Sequence, residues 1–303
     1  MPRKRNTALY FTGGIALDAN SAILCGHLYL ERDEPSVTRT MFVDDGEWFH
    51  LRDLPDVVYA SVRRPPSRDG RAVFCFLGRG GLLAERPSGG EFRDTRLPAR
   101  PWLMDLREID GVLHACGTQN QVLRGQGSDW QRIDQGIVQP LDDAVTACLN
   151  AIDGFGGDEI YAVGDGGAIL HWDGRRWTPQ PSGTDLPLYC VRCAADGHVY
   201  AGGAGGVLLR GDRRGGWVEV GDRSVCADVL EDLAEFDGRL YVAAVDRLLE
   251  FDGRKLRETA VPVAGPLAFL ALDACEQALW TVGDDCVLRY DGREWRRFAC
   301  PEN

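Results

Sequence analysis

A segment of 17 to 20 residues recurs along the chain, and this repetition constrains the fold more than any other feature. The C-terminal half holds four copies in a row: IYAVGDGGAILHWDGRRW (160–177), VYAGGAGGVLLRGDRRGGW (199–217), LYVAAVDRLLEFDGRKL (240–256) and LWTVGDDCVLRYDGREW (279–295). Weaker copies precede them: VLHACGTQNQVLRGQGSDW (112–130), VFCFLGRGGLLAERPSGGEF (73–92) and a stretched copy that ends in MFVDDGEW (41–48). Seven such units indicate an architecture of repeated supersecondary units.

The spacing of the units gives the length of the repeat. Each unit closes on a large apolar residue, and the closing residues are Trp48, Phe92, Trp130, Trp177, Trp217, Leu256 and Trp295. They lie 44, 38, 47, 40, 39 and 39 residues apart, with a mean of about 41.

Each unit has the pattern of four short strands. An apolar run such as AVTACLNAI (144–152) precedes an aromatic-headed strand such as EIYAVG (159–164), and a glycine-rich break leads to a third strand such as AILHW. An Asp-Gly pair then precedes a short strand that opens with the tryptophan. Asp-Gly is a strong hairpin signal, and we expect type I′ turns with positive φ at both central residues. The four pairs begin at Asp45, Asp173, Asp252 and Asp291.

Two further positions repeat within the units. Glycine ends the second strand where close backbone approach or positive φ would exclude a side chain. These glycines are Gly117, Gly164, Gly203 and Gly283. An aromatic residue stands at one register in the second strands of the four C-terminal units, and we expect its ring to fill the space between units. These residues are Tyr161, Tyr200, Tyr241 and Trp280.

A period of about 41 residues with four strands per unit is the signature of a β-propeller. The copies resemble the bacterial propeller repeat Y-A-V-G-x-x-G-x-I-L-x-x-D-G-x-x-W, which is related to kelch, WD-repeat and Asp-box propellers. The resemblance covers nearly the whole chain. The chain departs from each named relative: the Gly-His and Trp-Asp dipeptides of WD repeats are missing, kelch glycines do not occur in every unit, and the full Ser-x-Asp-x-Gly-x-x-Trp of the Asp-box is absent.

We therefore expect an all-β fold, a seven-bladed β-propeller of four-stranded antiparallel blades in a single domain, 1–303. The expected blades are 7–54, 55–100, 101–140, 141–183, 184–222, 223–263 and 264–300. Six blades with an irregular N-terminal segment is the alternative, because the polar insertion at 31–38 makes the first blade the least regular. Ring closure could also recruit a strand near residues 8–12 into the last blade, although 267–298 already supplies four strands.

Net charge indicates the kind of partner. The chain carries 34 Lys and Arg against 46 Asp and Glu, a formal charge of −12. Nucleic acids and anionic membranes are polyanions, so neither is expected to be the main partner. A basic protein fits better, bound by a chain that we expect to be monomeric.

The cysteines and the N-terminus favour the cytoplasm. Ten cysteines are scattered singly through apolar runs, as expected of free thiols in a reducing compartment. The one pair at motif spacing, Cys190 and Cys193, lies in a strand-like run, where residues i and i+3 point to opposite faces. The basic start MPRKRN is followed by no continuous apolar core or cleavage site, so no signal peptide is expected.

Motifs for catalysis or cofactor binding are missing from the sequence. The five histidines lie in different units without metal-ligand spacing, and no serine stands in G-x-S-x-G. The glycine string at 202–206 has no following helix or Lys-Ser/Thr to bind phosphate, so it is interpreted as a blade turn. No cofactor and no metal is expected.

One arginine set keeps an enzymatic alternative open. Arg63, Arg107 and Arg192 lie in or near first strands, which line the channel of a propeller. A sialidase-like site would use such a cluster for a carboxylate, but solvation of the channel explains the arginines equally well. The alternative is therefore a propeller enzyme, or a sugar- or metal-binding protein, with its site at the channel mouth.

Acidic residues gather on loops that lead into first strands or join second to third strands, which open on the same face of a propeller. The candidate partner-binding residues are Trp102, Asp142, Asp143, Asp165, Asp185, Tyr189, Asp228, Glu231, Asp232, Asp284 and Asp285. Charge would steer a basic protein to this face and an aromatic side chain would anchor it. Generally acidic loops are the simpler explanation, and calcium binding lacks a D-x-D-x-D loop.

The function that fits best is a noncatalytic protein-binding scaffold in a bacterial cytoplasm. Its more specific form is an immunity or adaptor protein that neutralises a cognate secreted toxin through the acidic loop face. Negative charge and missing catalytic motifs support this hypothesis.

Overall fold

Seven four-stranded antiparallel sheets form the blades of a β-propeller, so the predicted blade number is confirmed. The computed structural model describes residues 9–28, 37–66, 70–100, 102–138, 147–214 and 216–303. Within each blade, four consecutive strands pair in chain order, and the first strand lies innermost. Each inner strand contacts those of the two neighbouring blades, and together they surround a central channel.

The strands of the first four blades have the following bounds. Blade 1 comprises β1 (Tyr10–Ala16), β2 (Ser21–Leu28), β3 (Val37–Asp44) and β4 (Glu47–Leu54). Blade 2 comprises β5 (Val58–Arg64), β6 (Val73–Gly78), β7 (Leu82–Pro87) and β8 (Arg93–Arg96). Blade 3 comprises β9 (Leu103–Ile109), β10 (Val112–Gly117), β11 (Gln121–Gln126) and β12 (Asp129–Arg132). Blade 4 comprises β13 (Leu149–Gly156), β14 (Glu159–Gly164), β15 (Ile169–Trp172) and β16 (Trp177–Gln180).

The last three blades follow the same order. Blade 5 comprises β17 (Leu188–Cys193), β18 (Val199–Gly203), β19 (Leu208–Asp212) and β20 (Gly216–Glu219). Blade 6 comprises β21 (Asp232–Phe236), β22 (Arg239–Ala244), β23 (Arg247–Phe251) and β24 (Leu256–Glu258). Blade 7 comprises β25 (Ala271–Ala274), β26 (Leu279–Gly283), β27 (Cys286–Tyr290) and β28 (Trp295–Arg297). Two 3-10 turns, Asp165–Gly167 and Ala204–Gly206, join second to third strands, so the glycine string is a blade turn.

The Asp-Gly hairpins form, but the predicted turn type is wrong at three of the four. Asp45 and Gly46 both have positive φ, as a type I′ turn requires. At Asp173, Asp252 and Asp291 only the following glycine has positive φ. There the aspartate side chain accepts main-chain N–H groups two and three residues later, as Asp173 does from residues 175 and 176 at 2.9 Å. This side-chain capping stabilises a hairpin loop that is longer than a type I′ turn.

The glycines at the ends of second strands permit close backbone approach. Gly164 has extended backbone, but a Cβ there would lie 1.9 Å from the carbonyl oxygen of Cys148. Gly203 has the same relation to Pro187, at 2.1 Å. Close backbone approach, and not positive φ, is therefore the reason for glycine at these two positions.

The aromatic residues of the second strands fill the space between blades, as predicted. Tyr161 is fully buried and packs with Val191 and Leu209 of the next blade. Tyr200 and Tyr241 pack in the same way at the following two interfaces. Trp280 of the last blade packs with residues of the first, so the hydrophobic clusters continue across the junction of the termini.

Ring closure joins the first and last blades without exchanging a strand. All four strands of blade 7 come from the C-terminal segment, and β1 belongs to blade 1. The main-chain nitrogen of Phe11 donates to the carbonyl oxygen of Asp284 at 2.7 Å. The Asn303 side chain accepts from the nitrogen of Leu9 and donates to its carbonyl oxygen, at 2.8 and 3.0 Å.

The two faces of the ring differ in their loops. The chain runs into every inner strand at one face, which we call the top face and which also carries the loops between second and third strands. The bottom face carries the loops that join first to second and third to fourth strands. In the described part of the chain, no helix has the length and apolar character needed to cross a membrane.

Candidate functional site

The top face displays most of the acidic residues that the sequence predicts to bind a partner. Five of them lie in its loops with exposed side chains: Asp165, Asp185, Asp228, Asp284 and Asp285. Asp142 and Asp143 lie outside the described residues. The loop geometry of a propeller thus brings acidic residues from blades 4 to 7 to one surface.

Some of these carboxylates already have partners. Asp228 lies 3.7 Å from the Nε of Arg247, and Asp285 lies 3.7 Å from a guanidinium nitrogen of Arg297. Asp165 accepts a hydrogen bond of 3.3 Å from the Asn150 amide. Asp185 and Asp284 have no cation within 4 Å among the described residues, so their charge is the more available to a partner.

Trp102 is the largest exposed aromatic side chain of the top face, with half of its surface accessible. Its main chain is fixed by Thr118, whose Oγ1 accepts from the Trp102 nitrogen at 2.9 Å and whose nitrogen donates to the Trp102 carbonyl at 3.0 Å. The guanidinium of Arg79 lies 5.1 Å from the centre of the ring. Because the backbone is fixed and a cation stacks on the ring, the Trp102 side chain loses little conformational entropy on binding.

Two other aromatic side chains of this face were not predicted from the sequence. Tyr59 and Tyr10 are 40% and 38% exposed and lie at the starts of the inner strands of blades 2 and 1. Tyr59 and the predicted Tyr189 both line the top mouth of the channel. The place of Tyr59 at the start of an inner strand indicates the top face, but it does not show that the side chain turns to the mouth.

Asp232 lies in the channel and not on the exposed loops, because β21 begins with it. It is one of four inner-strand aspartates whose carboxylate accepts a main-chain N–H from the next blade. The pairs are Asp105 with Ile152 (3.0 Å), Asp153 with Cys193 (2.9 Å), Asp232 with Leu272 (2.8 Å) and Asp273 with Ala16 (2.8 Å). These bonds tie neighbouring inner strands together and give the aspartates a structural role.

Burial controls the ionisation of the channel carboxylates. It raises the pKa of Asp232 to about 6, against the weaker opposing effect of the Arg107 charge. Burial likewise raises the pKa of Asp105, of Asp273 and of Glu231 at the mouth. Burial therefore disfavours the ionised form of these carboxylates, and a nearby cation would stabilise it.

The three arginines of the enzymatic alternative line the lower part of the channel, together with Glu108 and Asp153. Arg107 lies 3.6 Å from Asp105, whose charge is the main reason that the pKa of Arg107 is raised. The tyrosines Tyr59 and Tyr189 lie at the opposite, upper end. The arrangement balances the charge of buried aspartates, and the described residues contain no group of three His, Cys, Asp or Glu side chains placed to hold a metal ion.

Comparison with known proteins finds similarity both in sequence and in structure. No protein-family model matches the chain. Immune protein Tsi7 of Pseudomonas aeruginosa is 38% identical over 226 residues, which cover 74% of this chain and 72% of that protein.

Solved β-propellers resemble the chain at low sequence identity. The structure of YCF48 bound to D1 peptide has a TM-score of 0.69 and 16% identity, and the match covers 94% of this chain and 92% of that one. The WD40 β-propeller domain of Doa1 has a TM-score of 0.69 and 11% identity, with 96% and 95% covered. At these identities the two structures support the fold alone.

Proposed function

The chain belongs to the family of the immune protein Tsi7, and from this membership we propose that it is an immunity protein that binds and neutralises a cognate toxin through its top face. The observation that carries the choice of face is the exposed, backbone-fixed Trp102 on the same surface as five exposed aspartates. The family membership supports a binding role in place of catalysis.

We propose that the toxin presents a basic surface. The chain has a formal charge of −12, and Asp185 and Asp284 have no cation of their own within 4 Å among the described residues. Complementary charge accelerates encounter and suppresses wrong partners, while an aromatic anchor supplies most of the binding energy. Asp142 and Asp143 belong to the proposed surface by their place in the sequence before β13.

We place this neutralisation in the cytoplasm, with the chain acting as a monomer. All ten cysteines are free, and seven of them are buried in the cores of the blades. Burial raises the pKa of Cys190 and Cys193 well above the usual value, so neither thiol is activated for redox chemistry. Free, unreactive thiols are what a reducing compartment permits.

Charge reversal tests the proposal. The probe is the protein encoded by the open reading frame beside the gene for this chain, produced together with it and purified as a complex. Changing Asp142, Asp143, Asp284 and Asp285 to lysine should weaken the complex by about a hundredfold or more while the fold remains intact. The same change at four exposed bottom-face residues, Glu91, Asp129, Asp158 and Glu276, is the matched control. Unchanged capture by the top-face variant would overturn the assignment of the site.

A further inference from the structure

A ring of seven side chains surrounds the top mouth of the channel, one from each blade. These mouth residues are Thr12, Tyr59, Met104, Asn150, Tyr189, Glu231 and Leu270. In blades 1 to 5 the mouth residue is the extra residue of a β-bulge between the first and second strands. Bulges redirect side chains and are frequent next to binding sites.

The residue before each mouth residue is apolar and almost completely buried. These anchors are Phe11, Val58, Leu103, Leu149, Leu188, Leu230 and Phe269, none more than 3% exposed. Every mouth residue therefore follows a buried neighbour, within the inner strand in blades 1 to 5 and just before it in blades 6 and 7. The mouth is a preformed feature, which lowers the entropic cost of receiving a guest.

The cavity below the mouth residues has a volume of about 150 Å³. At ~30 Å³ per water molecule this is room for about five waters, the space of one long side chain. Tyr59 and Tyr189 stand almost opposite each other, because three of the seven blade steps separate them. Aromatic rings on two sides of the mouth are a favourable surround for a cationic group.

The walls and floor of this cavity are anionic. Asp105, Asp232, Asp273 and Glu231 line it, and Arg107 is the one cation among its described lining residues. The Glu231 carboxylate differs from the aspartates, because it accepts no hydrogen bond within the described part of the chain and receives no cation within 4 Å. Its pKa is raised by burial alone. A positive charge from outside would therefore stabilise the ionised form of Glu231.

We propose that the mouth of the channel receives one arginine or lysine side chain of the toxin, which passes between Tyr59 and Tyr189 to pair with Glu231. This inference rests on the proposed function and names the contact at its centre. A guanidinium or ammonium group is the chemistry that the rings and the carboxylates recognise together. Once seated, the pair is shielded from solvent, so it affects dissociation more than encounter.

Binding kinetics of single variants test the contact, again with the product of the adjacent open reading frame as the probe. Glu231→Gln and Tyr189→Ala should each accelerate dissociation at least tenfold and leave the association rate nearly unchanged. Tyr189→Phe keeps the ring and should dissociate like the wild type. Glu276→Gln, at the bottom end of the channel, is the matched control. Thermal melts of each variant separate loss of the contact from loss of the fold.

A double-mutant cycle identifies the guest. Each arginine and lysine of the toxin is changed to alanine against wild type and against Glu231→Gln. One basic residue should cost at least tenfold in affinity with the wild-type chain and little with Glu231→Gln. Absence of any coupled residue would overturn the inference, as would wild-type dissociation by both mouth variants. If Glu231→Gln and Tyr189→Ala behave as wild type while the four aspartate-to-lysine changes still abolish capture, the inference fails and the proposed function stands. If the four aspartate-to-lysine changes also have no effect, the inference and the proposed function both fail.

Discussion

The carboxylate of Asp273 in the last blade accepts a hydrogen bond of 2.8 Å from the main-chain nitrogen of Ala16 in the first. This bond crosses the junction of the two ends of the chain, where no strand is exchanged between blades. Asp273→Ala should lower the free energy of unfolding by about 1–3 kcal/mol, because it leaves a buried N–H without an acceptor. Asp273→Asn keeps one acceptor and should lose less. Urea denaturation measures both, with the exposed Asp185→Ala as control; equal stability of Asp273→Ala and that control would contradict the assigned role.

The raised pKa of Asp232 predicts a pH dependence of stability. Its folded-state pKa is about 6, above the value near 3.9 expected of an unfolded chain. Between these values the folded state binds more protons, so this group's stabilising contribution is present below about pH 4 and is lost as the pH rises through 6. Asp232→Asn should remove a slope of at most about 1.4 kcal/mol per pH unit. Denaturation at pH 4, 5, 6 and 7 tests this, and an identical slope in the variant would contradict it.

The close backbone approach at Gly164 predicts intolerance of any side chain. A Cβ there would overlap the carbonyl oxygen of Cys148 at 1.9 Å. Gly164→Ala should destabilise the protein by about 1–3 kcal/mol or more, because backbone must shift to relieve the overlap. Gly13→Ala is the control, since a Cβ at Gly13 meets nothing within 4 Å. Calorimetric melting temperatures compare the two, and equal values would be inconsistent with the structure.

Exposure of Trp102 predicts that it anchors the toxin. Trp102→Ala should weaken the complex by about 2 kcal/mol or more, roughly thirtyfold in Kd, as expected for a central aromatic residue of an interface. Phe49→Ala removes a comparably exposed ring from the outer strand β4 and should leave Kd unchanged. Isothermal titration calorimetry gives both values. A Trp102→Ala complex as tight as that of Phe49→Ala would remove Trp102 from the interface.

The repeated units predicted the blades because each carries its own strand pattern, turns and inter-blade aromatic residue. Tyr161 and Tyr200 illustrate this, since their register in the sequence already places them between blades. The turn type at Asp173 was predicted wrongly, because Asp-Gly favours I′ geometry only when the aspartate side chain does not cap the loop itself.

Arg63, Arg107 and Arg192 line the channel as their places in first strands predicted, but the mouth and the bonds between inner strands could not be predicted in the same way. The bulge that turns Tyr59 to the mouth adds one residue to an inner strand, and alternation of side chains does not reveal it. The roles of Asp105 and Asp232 could not be predicted either, because each carboxylate lies in one blade and the main-chain N–H that donates to it lies in the next. Only the arrangement of the blades in a ring brings each carboxylate to its donor, and a local sequence pattern does not predict that contact.

Hydrogen–deuterium exchange of the chain, alone and bound to the product of the adjacent open reading frame, tests toxin binding through the top face most directly. We expect slower exchange in the top-face loops at 181–187, 220–231 and 259–270. The bottom-face loops at 157–158, 194–198 and 275–278 should exchange as in the free protein. Slowing confined to the bottom-face loops, or no slowing at saturating toxin, would contradict toxin binding through the top face.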